Sequence, residues 1–420
     1  MKTIVVNERE NERVPFLRGI LTRSLLDAGL AFEDAFEMAS TVRDQLADIP
    51  EITSEELRER VSHLLQDEDE EVLEQYCLPA VAPSRILVIN LSDTVSAFSR
   101  GQHARYLQSS GMKAEKAEQT TALVYDQLVS GGISSITTCE LGYLTYHCLQ
   151  QEVGKKAARR YLVWSEFQSS SKQLALLICG TVGTGKSTIA TEIAHLFDIS
   201  RIQSTDMLRE VMRMMVSKRL LPILHSSSFN AWKTLPVQGG NDRDRDQLIA
   251  EGYRNQVELL AVTCEAVLQR AVDECVSIIL EGVHVHPALL ARAPKDADVI
   301  AVHVTLAVLK SKELKSRLRG RGLEVPHRRA KRYLSNFESI WSLQSYLLSE
   351  ADRCDVPIIP NEDKDKSILQ IIQQVNVELA RHFKGTPEQI FGSVVGAVEE
   401  RIETSSWHEI VPILRDLSRT

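Results

Sequence analysis

The residues at positions 180–187 carry the clearest chemical signal in the chain. They read Gly-Thr-Val-Gly-Thr-Gly-Lys-Ser and match the phosphate-binding pattern GxxxxGK[ST] in full. The glycines let the backbone turn tightly and point its N–H groups at phosphates, and a following helix adds its positive N-terminal end. A lysine in this pattern reaches the β- and γ-phosphates, and the next hydroxyl binds Mg²⁺. We therefore predict a site for ATP and Mg²⁺, formed by Gly180, Gly183, Thr184, Gly185, Lys186, Ser187 and Thr188.

Two acidic residues occupy positions from which they can act on a transferred phosphoryl group. Asp206 follows a short strand at 201–203, and the ends of parallel strands border the ligand crevice of an open sheet. There it can orient an acceptor hydroxyl or hold a Mg²⁺ water, although a simple helix N-cap is the alternative. Glu281 ends the apolar run 277–280, as a Walker B carboxylate does, and a strand-terminal cap is its alternative. We predict catalytic and metal roles for Asp206 and a metal role for Glu281.

Cationic and hydroxyl side chains nearby suit an anionic acceptor. An arginine lies about one helical turn beyond Asp206 and projects from the same face. Residues 221–232 combine small donors with apolar neighbours, which suits a polar acceptor, although a plain turn is nearly as consistent. We assign Arg209, Arg213, His225, Ser226 and Ser227 to the acceptor.

A cluster of arginines follows the predicted fourth strand, the apolar run at 299–304, and precedes the last long helix. Such a cluster is usually a solvated face, but beside a phosphate-binding loop it suits a lid that clamps phosphates. The cluster comprises Arg317, Arg319, Arg321, Arg328, Arg329 and Arg332. Together with Lys186, Asp206 and Arg209, we take Arg317 and Arg321 as the catalytic candidates.

Apolar runs of strand length alternate with helical stretches over residues 172–385. This alternation predicts an α/β domain, a P-loop kinase fold with a parallel sheet and helices on both faces. The runs lie at 174–179, 276–280, 299–304 and 356–359, and a short second strand is expected at 201–203. A polar segment at 166–171 is expected to be a linker into this domain.

The N-terminal part of the chain contains a repeat. Sequence blocks recur at offsets of 82 to 84 residues, and each copy begins with a short strand. Thr53 and Thr137 occupy equivalent positions, each followed by glutamate, and are expected to cap a helix. We predict mainly helical modules at 1–84 and 85–168, and a helical tail at 386–420 that docks through amphipathic faces.

Composition narrows the classes of protein. The chain has 420 residues and a net charge of −8; residues 1–83 carry 19 acidic and 8 basic side chains, a net −11 that leaves about +3 for the remainder. This balance argues against a nucleic-acid binder and suits anionic ligands in the later part. Apolar runs fall short of the roughly 18 residues that a membrane span needs. Seven scattered cysteines without a CxxC pair indicate buried free thiols in a reducing cytoplasm.

Several of these motifs together resemble the 2-phosphoglycerate kinase family. They are GTVGTGKSTIA at 180–190, STDMLREVMR at 204–213, LPILHSSSFNAW at 221–232, IILEGVHVHP at 278–287 and RRAKRYLSNFESI at 328–340. The second and third are far more specific than the first. The resemblance implies transfer of the ATP γ-phosphoryl group to the hydroxyl of 2-phosphoglycerate, giving 2,3-bisphosphoglycerate. This acceptor is a small polyanion, which agrees with the arginines and hydroxyls found independently.

The N-terminal modules resemble ATP-cones, regulatory nucleotide-binding domains. The basic hairpin that cones commonly carry is missing, so structural or assembly modules, including a homo-oligomer formed through them, are an equal alternative to ATP sensing. For the whole chain two alternatives to the leading reaction stay open. One is a kinase of another phosphorylated polyol, such as an inositol phosphate; the other is a nucleotide-sensing regulatory protein.

Overall fold

The computed structural model describes residues 3–7, 12–28, 30, 32–46, 49–65, 72–73, 76, 86–90, 92–236, 244–292, 298–324, 330–401 and 406–417. The chain divides into two compact units, residues 1–85 and 86–420. Residues 79–84, at the expected boundary between the two N-terminal modules, lie outside the described residues.

The first unit combines a small sheet with helices. Strand β1 (Ile4–Asn7) pairs antiparallel with β2 (Glu12–Pro15) and parallel with β3 (Glu51–Thr53). Its described helices are α1 (Arg18–Asp27), α2 (Phe32–Gln45) and α3 (Ser54–Leu65). Thr53 caps α3 as expected, because the backbone N–H of Glu56 donates to Thr53 Oγ1 and the N–H of Thr53 donates to Glu56 Oε2, both at 3.1 Å.

Residues 86–169 have the same arrangement within the second unit. Strand β4 (Leu87–Ile89) pairs antiparallel with β5 (Val95–Ala97) and parallel with β6 (Ser135–Thr137). The helices are α4 (Arg100–Ser109), α5 (Ala114–Ser130), α6 (Thr138–Glu152) and α7 (Lys155–Ser169). Thr137 and Glu140 form the equivalent capping box at the start of α6. The hairpin, the parallel third strand and the threonine-capped helix therefore recur in both copies.

The expected linker at 166–171 is wrong for most of its length, since α7 continues to Ser169. Trp164 and Phe167 of α7 are buried in one cluster with residues of the central sheet. Glu166 accepts a hydrogen bond from the backbone N–H of Gly385 at 2.8 Å. The second module and the sheet domain thus share a hydrophobic core.

A parallel sheet of five strands forms the centre of the second unit in its described residues. The strands are β7 (Gln173–Cys179), β8 (Arg201–Ser204), β9 (Ile278–Gly282), β10 (Val299–Ala307) and β11 (Ile358–Pro360). Their order in the sheet is β11-β10-β7-β9-β8, with β7, the strand before the phosphate-binding loop, in the middle. The residues of β7 and β9 are all buried, as continuous apolar runs predict for central parallel strands. The predicted α/β fold with a parallel sheet is confirmed.

Helices cover both faces of this sheet. They are α8 (Lys186–Phe197), α9 (Thr205–Met215), α10 (Arg245–Asp273), α11 (Ser311–Glu324), α12 (Ala330–Leu334), α13 (Phe337–Arg353) and α14 (Lys364–His382). One buried cluster joins the sheet to α7, α8 and α14, and another joins it to α10 and α13. Short 3₁₀ helices lie at Pro222–His225, Ser228–Thr234 and Pro287–Arg292.

The C-terminal residues pack against the second module. They form α15 (Pro387–Phe391), α16 (Ser393–Glu399), a 3₁₀ turn at Trp407–Glu409 and α17 (Ile410–Leu417). Phe391, Val395 and Trp407 are buried in the cluster formed by the helices of that module. A Cβ at Gly142 would lie 2.6 Å from Cε1 of Phe391, so the contact depends on a glycine in α6.

No helix in the described ranges is long and apolar enough to cross a membrane. The described cysteines are free, and Cys148, Cys179 and Cys264 are buried. Cys275 is exposed, so the expectation of buried thiols is wrong there. Cys77 lies outside the described residues.

Candidate active site

The phosphate-binding loop joins β7 to α8 through three glycines in the left-handed region. Gly180, Gly183 and Gly185 have φ angles of 148°, 89° and 86°, which residues with a side chain rarely adopt. A Cβ at Gly185 would also lie 2.5 Å from Nδ2 of Asn361. The backbone of this loop is therefore one that glycine alone adopts without strain.

Hydrogen bonds inside the loop hold Lys186 and Thr184. Nζ of Lys186 donates to the carbonyl oxygen of Thr181 at 2.8 Å, and Oγ1 of Thr184 donates to the same oxygen at 2.9 Å. The buried Oγ1 of Thr181 has no hydrogen-bond partner in the described part of the chain. Because a buried hydroxyl without a partner is costly, a ligand oxygen would satisfy it.

Asn361 and Arg317 support the loop from the other side. Asn361 directly follows β11, and its Nδ2 donates to the carbonyl of Thr184 at 2.7 Å. Arg317 on α11 donates to the carbonyl of Asn361 and to Glu313, both at 2.5 Å. The sequence analysis missed Asn361, although a polar residue at the carboxyl end of a buried strand is a usable signal. The side chain of Arg321, and Arg328 and Arg329, lie outside the described residues.

Ser187 and Glu281 meet at the start of α8. Oγ of Ser187 donates to Oε1 of Glu281 at 2.9 Å, and the Glu281 residue is 5% exposed. Glu281 lies opposite Ile178 in the pairing of β9 with β7, so the sheet itself fixes its position. The Glu281 carboxylate is therefore buried beside a hydroxyl group. A hydroxyl beside such a carboxylate fits a Mg²⁺ ion bound directly or through water.

Asp206 does not cap its helix. Ser204 is the N-cap of α9, and its Oγ accepts the backbone N–H of Asp206 at 3.3 Å. The Asp206 side chain is 68% exposed, and its Oδ1 lies 4.0 Å from a terminal nitrogen of Arg209. The carboxylate is thus accessible and lies beside a cation, whereas the helix-capping alternative is wrong.

Arg209 connects α9 with the 221–232 segment. One terminal nitrogen of Arg209 donates to the backbone carbonyl of Ser226. The Nε of Arg209 and the Oγ of Ser227 are buried without hydrogen-bond partners among the described residues. Nε2 of His225 donates to the carbonyl of Val216 at 2.9 Å, which ties the segment to the end of α9. Two unsatisfied buried donors therefore lie on adjoining elements next to the end of β8.

Comparison with characterised proteins gives relatives that match most of their own length. A 2-phosphoglycerate kinase of Pyrococcus horikoshii is 33% identical over 302 residues, which is 71% of this chain and 97% of that protein. Proteins of the same name from Pyrococcus furiosus and Methanopyrus kandleri are 34% and 32% identical over 66% and 68% of this chain, and over 89% and 85% of their own. The chain belongs to the 2-phosphoglycerate kinase family. No family model matches it.

Other residues predicted for the site of this family member are not drawn together. Arg213 pairs with Glu210 of its own helix at 2.8 Å. Thr188 is exposed on the first turn of α8, and Arg319 and Arg332 are exposed as well. Part of the arginine cluster is therefore a solvated surface, while Arg317 lies against the phosphate-binding loop.

The sequence analysis missed a buried hydrogen-bond network at the kinase site, formed by Thr205, His284 and Gln256. Nε2 of His284 lies 2.8 Å from Oε1 of Gln256, and its Nδ1 lies 3.5 Å from Oγ1 of Thr205. Nε2 of Gln256 donates to the carbonyls of Ile223 and Ser226 at 2.7 and 3.0 Å. Burial lowers the pKa of His284 to about 3, so its ring is neutral. Only His284 had a visible signal, since it follows Glu281 beyond a strand end.

Proposed function

We propose that this protein transfers the γ-phosphoryl group of ATP to the hydroxyl of 2-phosphoglycerate and releases 2,3-bisphosphoglycerate and ADP. The observation that carries the proposal is a pair of unpartnered buried donors, Arg209 Nε and Ser227 Oγ, in a domain that also carries a complete phosphate-binding loop. An anionic acceptor would satisfy both donors. We choose 2-phosphoglycerate as the acceptor because the relatives are named 2-phosphoglycerate kinase.

The donor side of the site is built from the loop at 180–187. Its backbone N–H groups and the start of α8 would hold the ATP phosphates, with Thr184 and Thr188 beside them. Lys186, now hydrogen bonded to Thr181, would turn to the β- and γ-phosphates. Asn361 and Arg317 keep the loop in shape, and Arg317 would contact the transferred group with Arg321.

Ser187 and Glu281 would hold Mg²⁺, and exposed Asp206 is a further candidate ligand through water. The ion would neutralise charge on the phosphates as it develops during transfer. Glu281 suits this role because its buried carboxylate lies beside the hydroxyl of Ser187.

The acceptor side is built on α9 and on residues 221–228, which we call the acceptor loop. Asp206 would accept the proton of the acceptor hydroxyl or orient it for in-line attack on the γ-phosphorus. Arg209, Ser226 and Ser227 would bind the acceptor phosphate, with His225 and Arg213 at the margin. The acceptor oxygen forms the new P–O bond as the bond to ADP breaks.

The N-terminal modules are proposed to be ATP-cone-like, with a regulatory or assembly role. Their shared strand pairing and helix capping support one ancestral module. A cytoplasmic location belongs to the same proposal.

The reaction is tested by ³¹P NMR of the full chain with Mg-ATP and separate acceptors. We expect a 2,3-bisphosphoglycerate signal from 2-phosphoglycerate, and none with the Lys186→Ala variant. Turnover of an inositol phosphate alone would replace the acceptor and keep the mechanism. ATP binding without turnover of any acceptor would overturn the kinase proposal in favour of a nucleotide sensor.

A further inference from the structure

The acceptor loop is attached to the P-loop half of the site through buried polar side chains. Thr205, Gln256 and His284 are 0%, 0% and 2% exposed. They belong to three elements, the first residue of α9, the middle of α10 and the segment after β9. Burying three polar side chains is costly unless each is hydrogen bonded, and here they bond to one another and to the loop.

The donor and acceptor of each hydrogen bond in this network can be assigned, starting from Gln256. The amide Nε2 of Gln256 donates to two backbone carbonyls, so its Oε1 must accept from His284 Nε2. A neutral His284 protonated on Nε2 leaves Nδ1 as an acceptor for the hydroxyl of Thr205, the longest link at 3.5 Å. Each side chain in the network therefore has one consistent assignment as donor or acceptor.

The network forms a closed circuit of hydrogen bonds between α9 and the acceptor loop. The carbonyl of Ser226 accepts from Gln256 at 3.0 Å and also from Arg209, which belongs to the same helix as Thr205. The ring of Tyr253 lies nearly parallel to that of His284, with ring centroids 6.3 Å apart. The loop is thus held at Ser226 from two directions.

The same backbone segment also carries the candidate metal ligand. Glu281, which contacts Ser187, is three residues before His284. Gly282 between them has a φ of 152°, and a Cβ there would lie 1.8 Å from Oγ1 of Thr205. Glycine therefore lets the segment pass directly against the start of α9, which brings His284 to the acceptor loop.

We propose that His284 is a positioning residue that, through Gln256, fixes the acceptor loop relative to Asp206 and Arg209. It rests on the proposed function for its catalytic consequence. When the loop is fixed, an acceptor phosphate held there places its hydroxyl in line with the γ-phosphorus. When the loop is released, the acceptor binds poorly and water competes for the same phosphorus.

The test compares substitutions that each remove the hydrogen bonds of one side chain of the network. Gln256→Leu and His284→Phe should raise the acceptor KM about tenfold, leave the KM of ATP within about twofold, and raise the ratio of ATP hydrolysis to transfer, because losing buried hydrogen bonds displaces the loop. His284→Gln keeps a donor near the Nε2 position and should retain most acceptor affinity. His284→Asn keeps only the Thr205 side and should behave like His284→Phe. The double variant should be no worse than either single one.

His103→Gln is the matched control, since His103 is another buried histidine bridging two side chains, Thr121 at 2.9 Å and Thr145 at 3.1 Å, in the second module. It should lower thermal stability without changing the acceptor KM or the hydrolysis ratio. Equal effects of His103→Gln and His284→Phe on these constants would overturn the proposal. So would a rise in the KM of ATP equal to that of the acceptor.

A second measurement does not depend on the identity of the acceptor. Hydrogen exchange of the ligand-free protein should show faster exchange at 222–228 in Gln256→Leu, and unchanged exchange there in His103→Gln. If the wild type fails to phosphorylate 2-phosphoglycerate but the exchange result holds, the proposed function fails and the positioning role stands. Unchanged exchange at the loop in Gln256→Leu would refute the positioning role by itself.

Discussion

Ser187 and Glu281 are 94 residues apart in sequence, yet the Ser187 hydroxyl donates to the Glu281 carboxylate at 2.9 Å. Parallel pairing of β7 with β9 makes this contact, because it brings the carboxyl end of the second strand beside the loop that follows the first. The pair joins the phosphate-binding loop to a buried negative charge. It is the part of the site where we propose that Mg²⁺ binds.

Glu281→Gln should lower kcat about 10–100-fold, since it removes the charge that would hold the hydration shell of Mg²⁺. The isosteric amide can still accept the Ser187 hydrogen bond, so the fold should be retained. Steady-state kinetics over a Mg²⁺ titration would measure the change, with a higher Mg²⁺ requirement expected. An unaltered Mg²⁺ dependence would remove Glu281 from the metal site.

Asp206→Asn should lower kcat by roughly 100-fold or more and leave ATP binding intact, because a positioned base contributes about that factor. The exposed side chain makes few packing contacts, so stability should change little. Kinetics and nucleotide titration separate the two effects. Lys186→Ala is the contrasting variant and should lose activity through loss of γ-phosphate stabilisation. Unchanged turnover in Asp206→Asn would exclude the catalytic role.

Stability should fall as the pH drops below about 6.5. Burial lowers the pKa of His284 and His303 to about 3 and that of His103 to about 4. Between 6.5 and these values the unfolded chain binds protons that the folded protein excludes, so each histidine removes about 1.4 kcal/mol per pH unit. Above pH 6.5 this contribution is constant.

Urea denaturation at pH 7.5 and pH 5.0 would measure the loss. His284→Gln should reduce the pH dependence while lowering stability at pH 7.5. Equal free energies of unfolding at the two pH values would show that these histidines titrate normally.

Phe391→Ala should destabilise the second unit by about 3–5 kcal/mol, the usual cost of removing a buried phenylalanine. Phe391 is 5% exposed and packs against Gly142 and Tyr143 of α6. The exposed Ile358→Ala is a comparison with another apolar side chain, and should cost much less. Thermal melts of the variants decide it: a loss no larger than that of Ile358→Ala would mean that the C-terminal helices contribute little.

The parts of the fold that depend on local pattern were predictable from sequence. Continuous apolar runs located the strands of the sheet, and the Thr–x–x–Glu spacing located the helix starts at Thr53 and Thr137. The glycine spacing located a loop whose φ angles require glycine. In each case neighbours in sequence determine the structure.

The parts that depend on contacts between distant residues were missed or wrong. Gln256 sits inside a long helix among apolar residues, and its partner His284 is 28 residues away, so no local pattern relates them. The polar residues near Glu166 looked like a linker because their helix is buried against residues distant in sequence, such as Phe197 and Phe383. The capping alternative for Asp206 is wrong because Ser204, two residues earlier, occupies the N-cap position.

Helix α7 has a consequence for how this kinase can be divided. Trp164 packs against Phe197 at the end of α8 with ring centroids 4.9 Å apart, and Ser109 donates to the carbonyl of Leu196 at 2.7 Å. A chain cut at residue 172 would keep every proposed catalytic residue and yet lose the side chains that cover the far end of the P-loop helix. We therefore expect the smallest autonomous catalytic fragment to start near residue 86 rather than at residue 172.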